Sequence, residues 1–98
     1  MSLNLVISPR AHADLNDAWR WYEDRQQGVG DRFMLRVDEV LARICRDPEM
    51  FPILQRGARW AAVPRFPYGI LYRVEDSDLV VLGVIHGRRG PREWKSRT

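Results

Sequence analysis

Seven consecutive residues near the C-terminus, Leu79–Ile85, carry no polar side chain on either parity. A helix needs about 20 residues to cross a bilayer, so this run cannot be a span. A strand that is apolar on both faces belongs in the interior of a sheet. The rest of the chain must therefore supply the strands that pair with it and the elements that cover it.

Pairing partners precede the run. Asp76-Ser77 is a two-residue hairpin back to a strand expected over Ile70–Glu75, which follows the Pro64-Arg65-Phe66-Pro67 turn. Another strand is expected near Arg59–Val63, and Glu49-Met50-Phe51-Pro52 reads as a loop. At the far end Leu3, Leu5 and Ile7 alternate with Asn4 and Val6, the period of a half-buried first strand.

Two amphipathic helices lie between. Ser8 is a favoured N-cap and Pro9 a favoured first helical residue. Ala11, Leu15, Ala18 and Tyr22 then recur at helical spacing, widened by Trp19, with Arg10, Asp14, Asp17 and Glu23 on the other side. Gln26–Gly30 breaks the pattern, and Asp31 is read as the cap of a second helix with the stripe Phe33, Val37, Val40, Leu41 and Ile44. Asp47-Pro48 stops it, and the short connection makes the helices antiparallel neighbours that share the sheet as cover. The expected architecture is α+β over a single domain, residues 1–98: an N-terminal strand, a helical hairpin, a three-stranded antiparallel continuation and a basic C-terminal tail.

A chain of 98 residues suits one domain, and it shows no repeat or linker. Met1–Asn4 lacks the pattern of a cleavable leader, which places the protein in the cytoplasm, with no membrane contact. The lone Cys45 sits in a helical apolar pattern and reads as a small core residue. No phosphate-binding glycine loop, dinucleotide fingerprint, zinc motif or paired-cysteine motif is present, so no metal and no small-molecule cofactor is expected.

Charge is uneven. Residues 1–55 hold seven arginines against nine acids, whereas residues 56–98 hold nine basic residues against four acids. The segment His86–Arg97 alone has five basic residues and one acid. Clustered guanidiniums bind phosphate or carboxylate bidentately and can stabilise charge during phosphoryl transfer. Arg65, Arg73, Arg88 and Arg89 are accordingly expected to converge where the last two strands meet the tail. His86, directly after the apolar strand, is either a general acid or base or a hydrogen-bonding residue that fixes the exit of the tail. Trp94, among Arg92, Lys95 and Arg97, either stacks on a base or anchors the tail, and anchoring is favoured because one buried indole face is enough to order so charged a segment. His12 is read as solvent-facing, Phe66 and Tyr68 as packing residues, and Trp21, off the main stripe, as facing a partner.

In order along the chain, Ala13-Asp14-Leu15 with Trp21-Tyr22, Pro48 with Phe51-Pro52, Phe66-Pro67-Tyr68 leading to Tyr72-Arg73-Val74, and His86-Gly87-Arg88-Arg89-Gly90-Pro91 with Trp94 resemble the RelE/ParE superfamily of type II toxin–antitoxin toxins. The resemblance covers nearly the whole chain and is nearest to the ParE-like, plasmid-stabilisation branch. It implies a compact toxin held inactive by a cognate, ParD-like antitoxin whose acidic segment wraps the helical hairpin and sheet. ParE-like members are associated with inhibition of DNA gyrase, and RelE-like members with cleavage of mRNA on the ribosome.

The nuclease branch resembles this chain in ending a strand with an arginine before two apolar residues and a tyrosine. Here Gly69 takes that place, before Ile70-Leu71-Tyr72. The nuclease branch also tends to carry a terminal tyrosine or a His-Tyr pair, where this chain has His86-Gly87 and, further on, Trp94, an indole that cannot exchange a proton. The resemblance therefore implies gyrase as target, through protein contacts from His86, Arg88, Arg89, Arg92 and Trp94 and without catalysis. The alternative is a ribonuclease with His86 as general acid and Arg65, Arg73 or Arg89 stabilising charge. A further alternative is a non-toxic nucleic-acid-binding module.

Overall fold

The computed structural model describes residues 3–98; Met1 and Ser2, the start of the segment read for a leader, lie outside the described residues. The elements are β1 (Asn4–Ile7), α1 (Pro9–Arg25), α2 (Val29–Arg46), β2 (Ile53–Gln55), β3 (Ala58–Ala62), β4 (Tyr68–Glu75), β5 (Asp78–His86), a 3-10 turn (Gly87–Arg89) and α3 (Gly90–Arg97). One five-stranded sheet runs in the order β1-β5-β4-β3-β2. β1 pairs parallel to β5, and the other neighbours are antiparallel.

The apolar run lies within β5, an interior strand with a neighbour on each side. Between Leu71 and Tyr72 of β4 the partner on β5 jumps from Gly83 to Val81, so Leu82 is an inserted residue that bulges the strand. The bulge resets parity. Leu79, Val81 and Val84 all point to the helical hairpin, together with Ile70 and Tyr72, and Ile85 joins Leu71 on the opposite face. Apolar side chains on both parities thus serve two separate clusters.

The hairpin covers the first cluster with Ala11, Leu15 and Ala18 of α1 and the predicted stripe Phe33, Val37, Val40, Leu41 and Ile44 of α2, all buried. Ser8 caps α1 as expected, its Oγ accepting the Ala11 N–H at 3.1 Å. Asp31 does not cap α2. That helix begins behind Gly28, and Glu23 reaches across from α1 so that its Oε1 accepts the N–H groups of Gly28 and Gly30, while Asp31 accepts the indole N–H of Trp19. A side chain read as solvated therefore caps the next helix.

Several expectations need correction. The sheet gains a short edge strand, β2, so its antiparallel part has four strands instead of three. β1 is an edge strand: Leu3 and Ile7 pack on the core, but Leu5 and Val6 are each more than 40% exposed. Cys45 is exposed, not buried. The C-terminal tail is a helix, with Pro91 in its first turn and an Arg89–Glu93 pair one turn apart.

Candidate functional site

α3 folds back over the face of the sheet that the hairpin leaves open. Trp94 packs there against the cluster of Ala58, Leu71 and Ile85, beside Trp60 and Leu54, so its half-buried indole anchors the segment. Trp60 in turn lies across Gly69. A Cβ built at residue 69 would fall 2.0 to 2.6 Å from three atoms of the Trp60 ring, which fills the space a side chain would need.

α3 is locked at its far end by ions. Asp14 of α1, read from its periodicity as solvent-facing, turns inward and accepts the Val84 N–H at 2.9 Å and both terminal nitrogens of Arg97, at 2.7 and 3.0 Å. Arg97 is 5% exposed in its side chain; it also donates to Glu93, and Nη1 reaches the Leu82 carbonyl. β1 ends opposite Val81, so beyond that point the backbone of β5 has no strand on that side, while β4 still pairs on the other. Ser8, Asp14 and Arg97 satisfy it instead, and Gly83 leaves the room that Arg97 needs to cross. The hydrogen bonds that Arg97 donates to Asp14 raise the Arg97 pKa against the effect of burial. For Glu93 burial favours the neutral acid, but hydrogen bonds and charge from Arg97, and then Arg89, outweigh it and hold the carboxyl below its ordinary value.

His86 ends β5 opposite Tyr68, with the two rings in an edge-on contact at 5.1 Å. The Arg88 N–H donates to His86 Nδ1 at 3.0 Å, and the Gly87 N–H donates to the Pro67 carbonyl. An accepting Nδ1 puts the ring proton on Nε2, so His86 does the structural work of turning the chain into α3 and still offers an N–H outward. Trp21, Tyr68, His86 and Arg89 line a groove between α1 and this turn, bordered by Asp14 and Asp17. Burial raises the Tyr68 pKa, with Arg89 opposing and the two aspartates adding to it. The groove therefore presents hydrogen-bond donors and a guanidinium, and its tyrosine remains protonated at neutral pH. Tyr68 was read from the sequence as a packing residue, and it also touches Tyr22 and Phe33. Its place opposite His86 follows from strand register, which no local pattern reveals.

The four arginines expected to converge do not. Arg88 and Arg89 stand together at the start of α3, but Arg73 lies five residues along β4 from Tyr68, about 17 Å at strand rise. There it faces Glu75 and the Arg56 carbonyl. Arg65, in a left-handed backbone conformation at φ 70°, borders a separate hollow beside α2 with Arg32, Leu35 and Phe66. Arg73 by register, and Arg65 by its place beside α2, thus stand apart from the Arg88–Arg89 pair. Arg92 is exposed on α3 near Arg10 and Arg89. Trp21, as expected for a side chain off the stripe, is 49% exposed and carries Arg25 stacked on its ring.

The family described as "ParE toxin of type II toxin-antitoxin system, parDE" matches residues 5–91. The chain belongs to this toxin family. It is 32% identical over 92 residues to Toxin ParE2 of Mycobacterium tuberculosis, an alignment that covers 93% of this chain and 88% of that one. Among solved structures, a chain of the chromosomal ParDE system of P. aeruginosa superposes with a TM-score of 0.77 at 17% identity, covering 87% of this chain and 96% of that chain. A chain of the M. tuberculosis RelBE2 toxin–antitoxin complex superposes at 0.63 and 22% identity, covering 88% and 99%. At those identities the likeness carries the fold alone.

Proposed function

We propose that this toxin acts on DNA gyrase through protein contacts made by the C-terminal end of the sheet and α3, and that in the cytoplasm a cognate, ParD-like antitoxin holds it inactive. The observation that carries the choice of target is the Trp60 ring lying where a side chain on residue 69 would have to be. The arginine that the nuclease pattern puts at this place has no room, Arg73 stands five residues along β4 from the partner of His86, and Arg65 lines a different hollow. What remains around His86 is a groove with the Arg89 guanidinium on one side and Asp14 and Asp17 on the other, next to the exposed cations Arg88 and Arg92, and charge of this kind supports recognition of a protein surface. The antitoxin reading is supported by the likeness to toxins solved from ParDE and RelBE2 systems and by the basic C-terminal half of the chain.

A ribonuclease is the second reading, favoured by the Tyr68–His86 contact beside Arg89. Induction of the toxin in a bacterial host separates the two. The gyrase reading predicts loss of plasmid supercoiling with intact mRNA, and weaker growth arrest by Arg88→Ala/Arg89→Ala at unchanged thermal stability. Rapid mRNA cleavage that His86→Ala abolishes would overturn it.

A further inference from the structure

The inward side of α3 is fully used by the fold: Trp94 seals the lower apolar cluster, and Glu93 and Arg97 form the lock on Asp14. The outward side carries cations without a counter-charge among the described residues, although Lys95 Nζ lies 5.7 Å from the centre of the Trp94 ring. Arg88, Arg92 and Lys95 are exposed, and their side chains make no hydrogen bond or ion pair with any described residue, in contrast to Arg10, Arg89 and Arg97, which share Glu93. Arg92 and Lys95 lie three residues apart on one face of α3, and Arg88 stands in the 3-10 turn that leads into it.

The six cations of this corner, Arg10, Arg88, Arg89, Arg92, Lys95 and Arg97, face Asp14, Asp17 and Glu93. That is a local surplus of three, equal to the net charge of +3 for the whole chain. Like charges held this close repel, and a polyanion is the partner that relieves the repulsion. The choice among polyanions follows from Trp94. Single strands are gripped by aromatic rings that stack on bases, and the one aromatic side chain of α3 is turned inward. Unpaired cations at one corner, without a stacking platform, fit the phosphate backbone of a duplex, where contacts need no base readout.

We infer that the unpaired cations Arg88, Arg92 and Lys95 bind the sugar–phosphate backbone of double-stranded DNA without sequence preference. The inference rests on the gyrase reading for the source of that DNA: the toxin would hold the duplex that its target enzyme is handling, with the groove at His86 on the enzyme and these three cations on the nucleic acid.

Fluorescence anisotropy of a labelled 20-base-pair duplex, titrated with antitoxin-free toxin between 50 and 200 mM salt, tests it. Three neutralised phosphates give a log–log slope of about −2.7, so affinity should fall roughly 40-fold across that range. Arg88→Ala/Arg92→Ala/Lys95→Ala should abolish the salt-dependent binding, and Arg20→Ala/Arg43→Ala/Arg46→Ala, which removes the same charge from the hairpin, should leave most of it. Equal losses in the two variants would mean attraction by net charge alone and would overturn the inference, as would tighter binding to a single strand of the same length. Gyrase supercoiling is scored with the same preparations. Inhibition by a toxin that binds no duplex would sink the inference and leave the gyrase reading standing; duplex binding without inhibition would do the reverse.

Discussion

Replacing Gly69 by alanine drives a methyl group into the Trp60 indole. On the observed backbone the new Cβ falls 2.0 Å from Cζ2, 2.1 Å from Cε2 and 2.6 Å from Cη2, where carbon atoms rest at about 3.5–4 Å. The backbone at residue 69 lies outside the left-handed region, so alanine brings no conformational penalty of its own. The whole cost is steric. The indole is rigid, it is packed against the cluster of Ala58, Leu71 and Ile85, and it can retreat only by uncovering them. Overpacking of this kind costs about 1–3 kcal/mol. Taking about 2 kcal/mol, a chain of this length loses roughly 8–16 °C in Tm. Thermal and urea unfolding followed by circular dichroism give the number, and the Trp60→Leu background gives the cause. There the same alanine should cost under about 0.5 kcal/mol, leaving a coupling energy of about 1.5 kcal/mol between the two sites. A Gly69→Ala protein as stable as wild type, or one equally destabilised without the indole, would refute the steric reasoning and reopen residue 69 to an arginine.

Two further predictions concern the lock on α3. Arg97→Met keeps the volume but strands Asp14 and Glu93 without their shared cation, and should cost about 3 kcal/mol in urea unfolding; a loss under about 1 kcal/mol would show that the lock is idle. Glu93 is held below its ordinary value of 4.5 in the folded chain, so below that value the unfolded chain binds more protons there. Its contribution is complete above pH 4.5 and is lost as pH falls through the lower folded value. The stability difference between wild type and Glu93→Gln should therefore be level from pH 7 to about 5.5 and close in more acid solution, and a gap independent of pH would contradict the assignment.

The sequence shows what local periodicity encodes. The hairpin stripes, the Ser8 cap and the Asp76-Ser77 turn all stand where spacing puts them, because each depends on neighbours within a few residues. Three things were hidden because they depend on distant parts of the chain. Asp14 and Glu23 look solvated on a helical wheel, yet one meets Arg97 and the other caps α2, contacts that exist only once the fold has closed. Helix α3 was masked by its charge, since only one aromatic side chain faces the body and the rest of its hold is ionic. The register of β4 on β5 decided the site, bringing Tyr68 to His86 and sending Arg73 to the other end of the strand. A one-dimensional count of arginines cannot see that separation.

The most direct test of the account is a supercoiling assay with purified gyrase, relaxed plasmid and antitoxin-free toxin. The account predicts that the wild-type toxin blocks supercoiling or traps cleaved DNA, that Arg88→Ala/Arg89→Ala does so less well at equal stability, and that added antitoxin restores the enzyme. Gyrase that supercoils at its normal rate under a saturating amount of folded toxin would contradict it.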